Sequence, residues 1–344
     1  MATFKTIESV VPSQRSTVSA GIWSGGTGTL TTFFINTTQS GSSGNYYYDV
    51  YKDNPATDTT ATAQFGITYG HFQGSGSFNT VDGNNPSKAI YRQLSNVLLS
   101  PGGNRRFKIT KGGTVTDFDG LYAIVLNRSR MREKMDPGNW ELRLSGSFGT
   151  TAADNGIVKL IDDSNATTDP SVARTQTVFN VVSGSIASGD SVFDSDTNPL
   201  GLFFPNHGII VLSQDELGGR YDVSEINPIN FAASSSNAND NNAFKLFSQV
   251  SASQYFVARR EESVKSTHYF CRVNHDEFNY SSNPTYQTGS GDFVVPSFKQ
   301  DPKAYITTVG LYNESNDLLA VAKLSQPILK SSAREAVIKV RLDF

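Results

Sequence analysis

Apolar residues recur along this chain in short runs, either alternating with polar residues or continuous over five or six positions. The run 121–126 is continuously apolar, whereas 140–144 and 337–344 alternate and place one apolar face on each segment. Alternation is the period of a half-buried strand, and a short continuous run is typical of a strand buried on both faces. The pattern predicts a mainly β (α+β) fold of short antiparallel strands in a multi-domain chain, with two or three short helices.

The clearest helical spacing lies at 87–99, where Ala89, Ile90, Leu94, Val97 and Leu98 recur at steps of three and four. The preceding Pro86 suits a first helical turn because its missing N–H is not needed there. A second short amphipathic helix is predicted around 243–250.

Polar and glycine-rich stretches divide the chain into four predicted segments. Residues 1–45 hold few apolar anchors among Thr, Ser and Gly, which indicates an extended N-terminal arm. Two interpretations stay open for this arm: a loosely packed region of this chain, or a segment that becomes ordered on a neighbouring subunit. The remaining segments are a β-rich domain at 46–160, a second β-rich domain at 161–265 and a C-terminal β-hairpin domain at 266–344.

Two polar clusters in the strand regions predict chain reversals. The sequence Asp136-Pro137-Gly138-Asn139 has strong turn formers before the strand 140–144. The stretch 325–330, which contains Pro327, is predicted to end the return strand of a hairpin.

Basic residues at 128–135 predict a solvated helix with ion pairs, and a phosphate-binding turn is the alternative.

Composition excludes several functional classes. Hydrophobic residues make up 37%, Gly, Ser, Thr and Asn together are as numerous, and the net charge is −3. A nucleic-acid-coating protein would carry a basic excess, so we expect no nucleic-acid partner. No stretch of about 18 apolar residues occurs, so we expect no membrane span, and the first residues lack a secretion signal.

Few residues suggest catalysis or metal binding. The four histidines are dispersed, and only His275-Asp276-Glu277 places three possible ligands together, where a locally hydrogen-bonded turn is the favoured interpretation. Asp190, Asp194 and Asp196 lack EF-hand spacing and predict a solvated loop. The single cysteine, Cys271, lies in an alternating stretch and is predicted to be a buried small hydrophobe. We therefore expect no enzyme, no catalytic residues, no cofactor, no metal and no small-molecule substrate.

Three motifs stand out near the C-terminus: ITTVGLYN at 306–313, LLAVAK at 318–323 and KVRLDF at 339–344. They resemble virion proteins of contractile-tailed, T-even-like bacteriophages, of the type found in cyanophages and marine myophages. Two earlier motifs, SKAIYRQL at 87–94 and RMREKMDPGNW at 130–140, are also similar to these proteins. The resemblance covers about half of the chain, in patches, and is specific for a tail structural protein rather than for one component.

This resemblance implies a non-enzymatic structural subunit, a wedge-like baseplate component assembled in the host cytoplasm and located in the virion. Its partners would be other tail and baseplate proteins, with several copies per virion. Aromatic residues are enriched at such interfaces. The predicted contact residues, each with a core position as the alternative, are Phe33, Phe34, Phe278, Tyr280 and Tyr286.

Two other functions remain open at this point. The aromatic-bearing polar loops could belong to a receptor- or carbohydrate-binding module of a tail fibre, because aromatic rings stack on sugars. A tail-associated glycosidase is the third hypothesis, and it would need two carboxyl groups that face each other across a groove.

Overall fold

The computed structural model describes residues 7, 9–36, 46–76, 85–102, 105–145, 157–164, 177–187, 190–194, 198–220, 231, 238–280 and 283–343. Strands hold 52% of these residues and helices 17%, which confirms the mainly β class. The strands are β1 Ser9–Gly21, β2 Thr29–Leu30, β3 Phe34–Ile35, β4 Tyr47–Tyr51, β5 Ala63–His71, β6 Phe107–Lys111, β7 Thr114–Phe118, β8 Gly120–Leu126, β9 Lys134–Ser145, β10 Ile157–Asp162, β11 Phe179–Ala187, β12 Asp190–Phe193, β13 Gly201–Phe204, β14 Ile209–Ser213, β15 Phe256–Val273, β16 Lys303–Tyr312, β17 Leu318–Ser331 and β18 Ala336–Asp343. The helices are α1 Pro86–Leu98, α2 Arg128–Met131, α3 Gln214–Arg220 and α4 Ala238–Ser253.

The chain forms two compact units, Val18–Glu262 and a smaller one of Met1–Thr17 with Ser263–Phe344. The larger unit is built on one sheet with the strand order β15-β9-β10-β11-β13-β14-β8-β5-β4-β3. The predicted segments 46–160 and 161–265 share this sheet, because β8 pairs with β14 and β9 pairs with β10. The structure therefore places no domain boundary between them.

The central strands of this sheet are buried on both faces, as the apolar run 121–126 predicted. On β8, Tyr122 and Ile124 face one core cluster, which helix α4 covers with Leu246 and Val250. The alternate residues of β8 face a second cluster that contains Tyr91 of α1 and the β6–β7 hairpin. Two covering layers explain why a strand without polar alternation is stable here.

The sheet of the larger unit curves until distant strands meet. Six strands separate β15 from β5 in the sheet order, yet the rings of Phe256 and Phe65 lie 5.5 Å apart. Trp23 packs on both rings and donates its indole N–H to the Phe256 carbonyl at 2.9 Å. Ile22, Trp23, Leu30 and Phe33 are buried in this core. This part of the predicted N-terminal arm is therefore an integral part of the larger unit, because its apolar side chains fill the space that the curvature encloses.

The predicted turn at 136–139 is wrong, because these residues lie inside β9. The pairing of β9 with β15 shifts between Ala258–Trp140 and Arg260–Met135, which marks a bulge. Gly138, at φ 77°, donates its N–H to both oxygens of Asp162, at 2.9 and 3.0 Å. A buried carboxylate on the neighbouring strand thus binds the backbone that would otherwise close a local turn.

The basic segment at 128–135 forms a helix only over Arg128–Met131. The ion pairs come from the residues that follow, as Arg132 contacts Glu262 at 3.0 Å and Lys134 contacts Glu261 at 2.9 Å. The prediction of ion pairs is confirmed, and the predicted helix is shorter because Met131 turns into the core of the sheet.

The smaller unit packs a two-stranded sheet on a second pair of strands. Within it, β15 pairs with β18 from Ser266–Asp343 to Val273–Ala336, and β16 pairs with β17. The apolar alternation of β18 puts Ile338 and Val340 into a core shared with Leu311 of β16. Cys271 is partly buried rather than buried as predicted; it packs against the same core, and burial raises the pKa of its thiol.

Candidate partner-binding surface

The hairpin of β16 and β17 is longer than the sequence predicts. Strand β17 continues through 325–330, where the structure contradicts the predicted break. The register shifts between the pairs Ile306–Ile328 and Thr308–Lys323, so several residues of β17 oppose one residue of β16. Pro327 lies in this bulge, where its lack of an N–H disrupts no ladder hydrogen bond.

The two faces of the hairpin differ in exposure. The inner face, with Ile306, Val309, Ala320 and Ala322, packs into the core of the smaller unit. The end of the hairpin leaves four apolar side chains exposed, which we call the tip patch. Its members are Tyr312 (43% exposed), Leu318 (53%), Leu319 (68%) and Val321 (57%).

The tip patch is continuous because Gly310 lies beneath it. Gly310 is directly opposite Val321, and a Cβ built at this glycine would lie 2.8 Å from Tyr312 Cε2 and 3.3 Å from Leu318 Cδ1. Both side chains therefore fold over the glycine. A larger residue at 310 would have to displace them.

The loop that carries the tip patch is held by its own hydrogen bonds. Asn313 Oδ1 accepts the Asp317 N–H at 2.7 Å, and the Asn313 N–H donates to the Asp317 carbonyl at 3.0 Å. This closed turn keeps the apolar side chains in one orientation, which lowers the entropy lost on contact with a partner.

The structure separates the five predicted contact residues. Phe33 is only 8% exposed and packs edge-on against Phe65, so the core alternative holds for it. Phe34 is 36% exposed, and Phe278 is 42% exposed at a positive φ of 52°. Tyr280 and Tyr286 are the two that the structure brings together, as described next.

An aromatic cluster in the smaller unit contains Tyr280, Tyr286, Phe293 and Phe298. The rings of Tyr280 and Tyr286 lie 6.0 and 5.3 Å from that of Phe298. Tyr280 is still 52% exposed, and its hydroxyl accepts a hydrogen bond from Gln287 Nε2 at 2.9 Å. Two of the five predicted residues, Tyr280 and Tyr286, therefore belong to a partly exposed aromatic cluster, whereas no residue of the tip patch was among those predicted.

The acidic and histidine candidates have local structural roles. Glu277 accepts the Asn274 N–H at 2.9 Å, which confirms the predicted turn at His275-Asp276-Glu277. Asp194 accepts a hydrogen bond from Ser183 Oγ. His71 is partly buried at the end of β5, and this burial lowers the pKa of its side chain. Among the residues that the structure describes, no three His, Cys, Asp or Glu side chains converge as metal ligands.

Comparison of the chain with known protein families, with curated proteins and with solved structures gives no significant match. Within the described residues, no helix has the length and apolar character that crossing a membrane requires.

Proposed function

We propose that this chain is a non-enzymatic structural subunit of a contractile phage tail, a baseplate component that binds neighbouring tail proteins through the tip patch. One observation supports the proposal. The strand ends on either side of a hydrogen-bonded turn expose four apolar side chains, those of Tyr312, Leu318, Leu319 and Val321. Contiguous exposed apolar side chains are stabilised when a partner removes them from water. The motifs that resemble phage tail proteins include these same residues.

The chemistry of the tip patch favours a protein partner over a charged or polymeric ligand. The four side chains present rings and aliphatic groups, flanked by the polar loop 313–317 and by the exposed Lys323 of β17. The two-stranded sheet also leaves each of β16 and β17 with one edge that no described strand pairs, so a partner strand could add to it.

The test compares virions produced with the wild-type chain and with Leu319→Lys plus Val321→Lys. We expect the wild-type chain in purified tails, with density in the baseplate. We expect the double variant to be monomeric and folded but depleted from tails at least about tenfold, since charges in an interface core lose the burial energy and require desolvation.

Thr307→Lys and Thr308→Lys together form the matched control, because they add the same charges to exposed positions of the same hairpin. This control should be incorporated like the wild type. Equal incorporation of both double variants would show that assembly does not depend on the tip patch. Density in the capsid or neck would contradict the baseplate proposal.

A further inference from the structure

A groove in the larger unit has a floor that four strands build in one row. The register places Asp49 of β4 beside Gly66 of β5, Gly66 beside Val125 of β8, and Val125 beside Ile209 of β14. All four residues line the groove, which has a volume of about 600 Å³. Cavities of this size are typical of small-ligand sites, which range over roughly 300–1,000 Å³.

Helix α1 forms the wall of the groove because it diverges from the sheet. At Gly70, a built Cβ would lie 3.0 Å from the Tyr91 backbone nitrogen, so the helix touches β5 there. At Gly66 no helix atom lies within 4 Å of such a Cβ, and the nearest atoms are the Tyr48 carbonyl oxygen at 3.8 Å and Asp49 Oδ1 at 4.0 Å. The glycine thus keeps the floor open under the helix.

The wall is apolar where it faces this opening. Ile90, Leu94 and Val97 of α1 line the groove, and Val97 is 54% exposed. These three residues belong to the apolar helix face that the sequence predicts, but none of them is fully buried, whereas Tyr91 and Leu98 of the same helix are. The apolar face of α1 therefore has unfilled space beside it.

Asp49 gives the groove its chemical preference. Among the described residues that line the groove, it is the only charged one. Its carboxyl is half-buried, and its pKa is raised by burial with no described partner that offsets the effect. A partly desolvated carboxylate is stabilised by a cation brought to it.

We propose that this groove binds a small organic cation, an ammonium or guanidinium group on an apolar body, with the charge against Asp49 and the body between α1 and Gly66. The volume favours a small molecule over an extended chain, and the convergence of helix and strand at Gly70 closes one end. This ligand is bound rather than converted, because the described lining of the groove offers one carboxyl group and no second acidic residue, histidine, lysine or cysteine beside it.

Binding to the full-length protein tests the inference, with four probes that share a six-carbon chain: hexylammonium, hexylguanidinium, hexanol and hexanoate. Calorimetry or NMR titration at pH 7 should give both cations about tenfold tighter binding than hexanol, the effect of one charge-assisted hydrogen bond, with hexanoate weakest. Equal affinity for hexanol and hexylammonium would overturn the cation preference. No binding of any probe would overturn the site.

Two variants localise the effect. Asp49→Asn should reduce hexylammonium affinity to within about threefold of hexanol, since the amide keeps the shape and loses the charge. Gly66→Leu should weaken all four probes by filling the floor. Gly289→Leu is its control, because a Cβ there meets nothing within 4 Å and the residue lies outside the groove.

A third measurement does not depend on variant folding. In the wild type, hexylammonium affinity should fall on acidification, starting above the ordinary carboxyl pKa near 3.8 because burial raises that of Asp49, while hexanol affinity stays constant. A parallel loss for both probes would contradict the role of Asp49. Tenfold tighter binding of a Leu-Lys-Leu peptide than of hexylammonium would assign the groove to a protein segment and overturn the small-molecule inference.

Discussion

Strand β8 and the hairpin β16–β17 are both made of short apolar runs, but their surroundings differ. Tyr122 and Ile124 of β8 face the cluster under α4, and Leu121 and Ala123 face the cluster under α1 and the β6–β7 hairpin. Within the described part of the chain, the hairpin has a covering layer on its inner face only. At the end of the hairpin, Leu319 is 68% exposed.

The difference separates stability from assembly. In β8 the apolar side chains other than that of the partly buried Val125 are already removed from water, so they stabilise the isolated chain. In the tip patch the same residue types keep most of their exposed area, so the free energy of burial is available to a partner. Matched substitutions should therefore lower the free energy of unfolding in the central sheet and weaken partner binding in the tip patch.

A matched pair of leucines gives the largest expected contrast. Leu212 of β14, which pairs with Tyr122 of β8, is fully buried, whereas Leu319 is exposed. Leu212→Ala should lower the free energy of unfolding by about 2–5 kcal/mol, and Leu319→Ala should change it by less than about 0.5 kcal/mol.

Urea unfolding measures the leucine pair, with tryptophan fluorescence for the larger unit, which holds both Trp23 and Trp140. Far-UV circular dichroism covers the smaller unit. A loss above about 2 kcal/mol for Leu319→Ala would show that the tip patch is buried in the isolated protein, and the comparison would fail.

A matched pair of glycines gives the next contrast. A Cβ at Gly201 of β13 would lie 2.1 Å from the Val211 carbonyl oxygen of the paired strand, which is backbone and cannot rotate away. A Cβ at Gly310 meets the flexible end of exposed Tyr312. Gly201→Ala should destabilise by about 3 kcal/mol, near the upper end for overpacking, and Gly310→Ala by well under about 1 kcal/mol.

Thermal unfolding measured by calorimetry checks the glycine pair. The same Gly310→Ala protein should show altered tip-patch geometry, read as a changed NMR signal of the Tyr312 ring. Similar losses for both glycines would mean that the tip patch is as tightly packed as the central sheet.

Strand and helix positions followed from the sequence, because periodicity reports which residue types alternate. The apolar run 121–126 predicted a doubly covered strand, and the spacing at 87–99 predicted α1 with Pro86 in its first turn. The burial of Tyr91 on α1 could not be predicted in the same way. Its hydroxyl donates a hydrogen bond to the Phe118 carbonyl at 2.9 Å, so this polar atom is satisfied inside the second core.

Tertiary partners also explain why β15 is continuous. The charged stretch after Arg259 interrupts the apolar pattern, yet β15 runs unbroken from Phe256 to Val273. Glu261 and Glu262 pair with Lys134 and Arg132, which a local pattern does not reveal. The exposure of the tip patch could not be predicted either, because the local pattern of an apolar strand does not indicate which of its faces another element covers.

A buried carboxyl in the larger unit extends the comparison to pH. Burial raises the pKa of Asp162 from 3.8 to about 6, against the opposing hydrogen bond from Gly138. The folded state then holds the proton more tightly than the unfolded state, so this contribution to stability is complete below pH 3.8 and is lost as pH rises through 6. At about 1.4 kcal/mol per pKa unit, the larger unit should lose about 2 kcal/mol between pH 4.5 and 7.5 through this group.

Asp162→Asn isolates the effect, because the amide oxygen can still accept the Gly138 N–H but does not titrate. Urea unfolding followed by tryptophan fluorescence at the two pH values should show a smaller pH dependence in the variant than in the wild type, by that same difference. The absolute stability of the variant is not the criterion, since its amide N–H groups need new acceptors. An identical pH dependence in both proteins would show that water reaches Asp162, and the interior of the larger unit would then resemble the exposed hairpin more closely than its packing indicates.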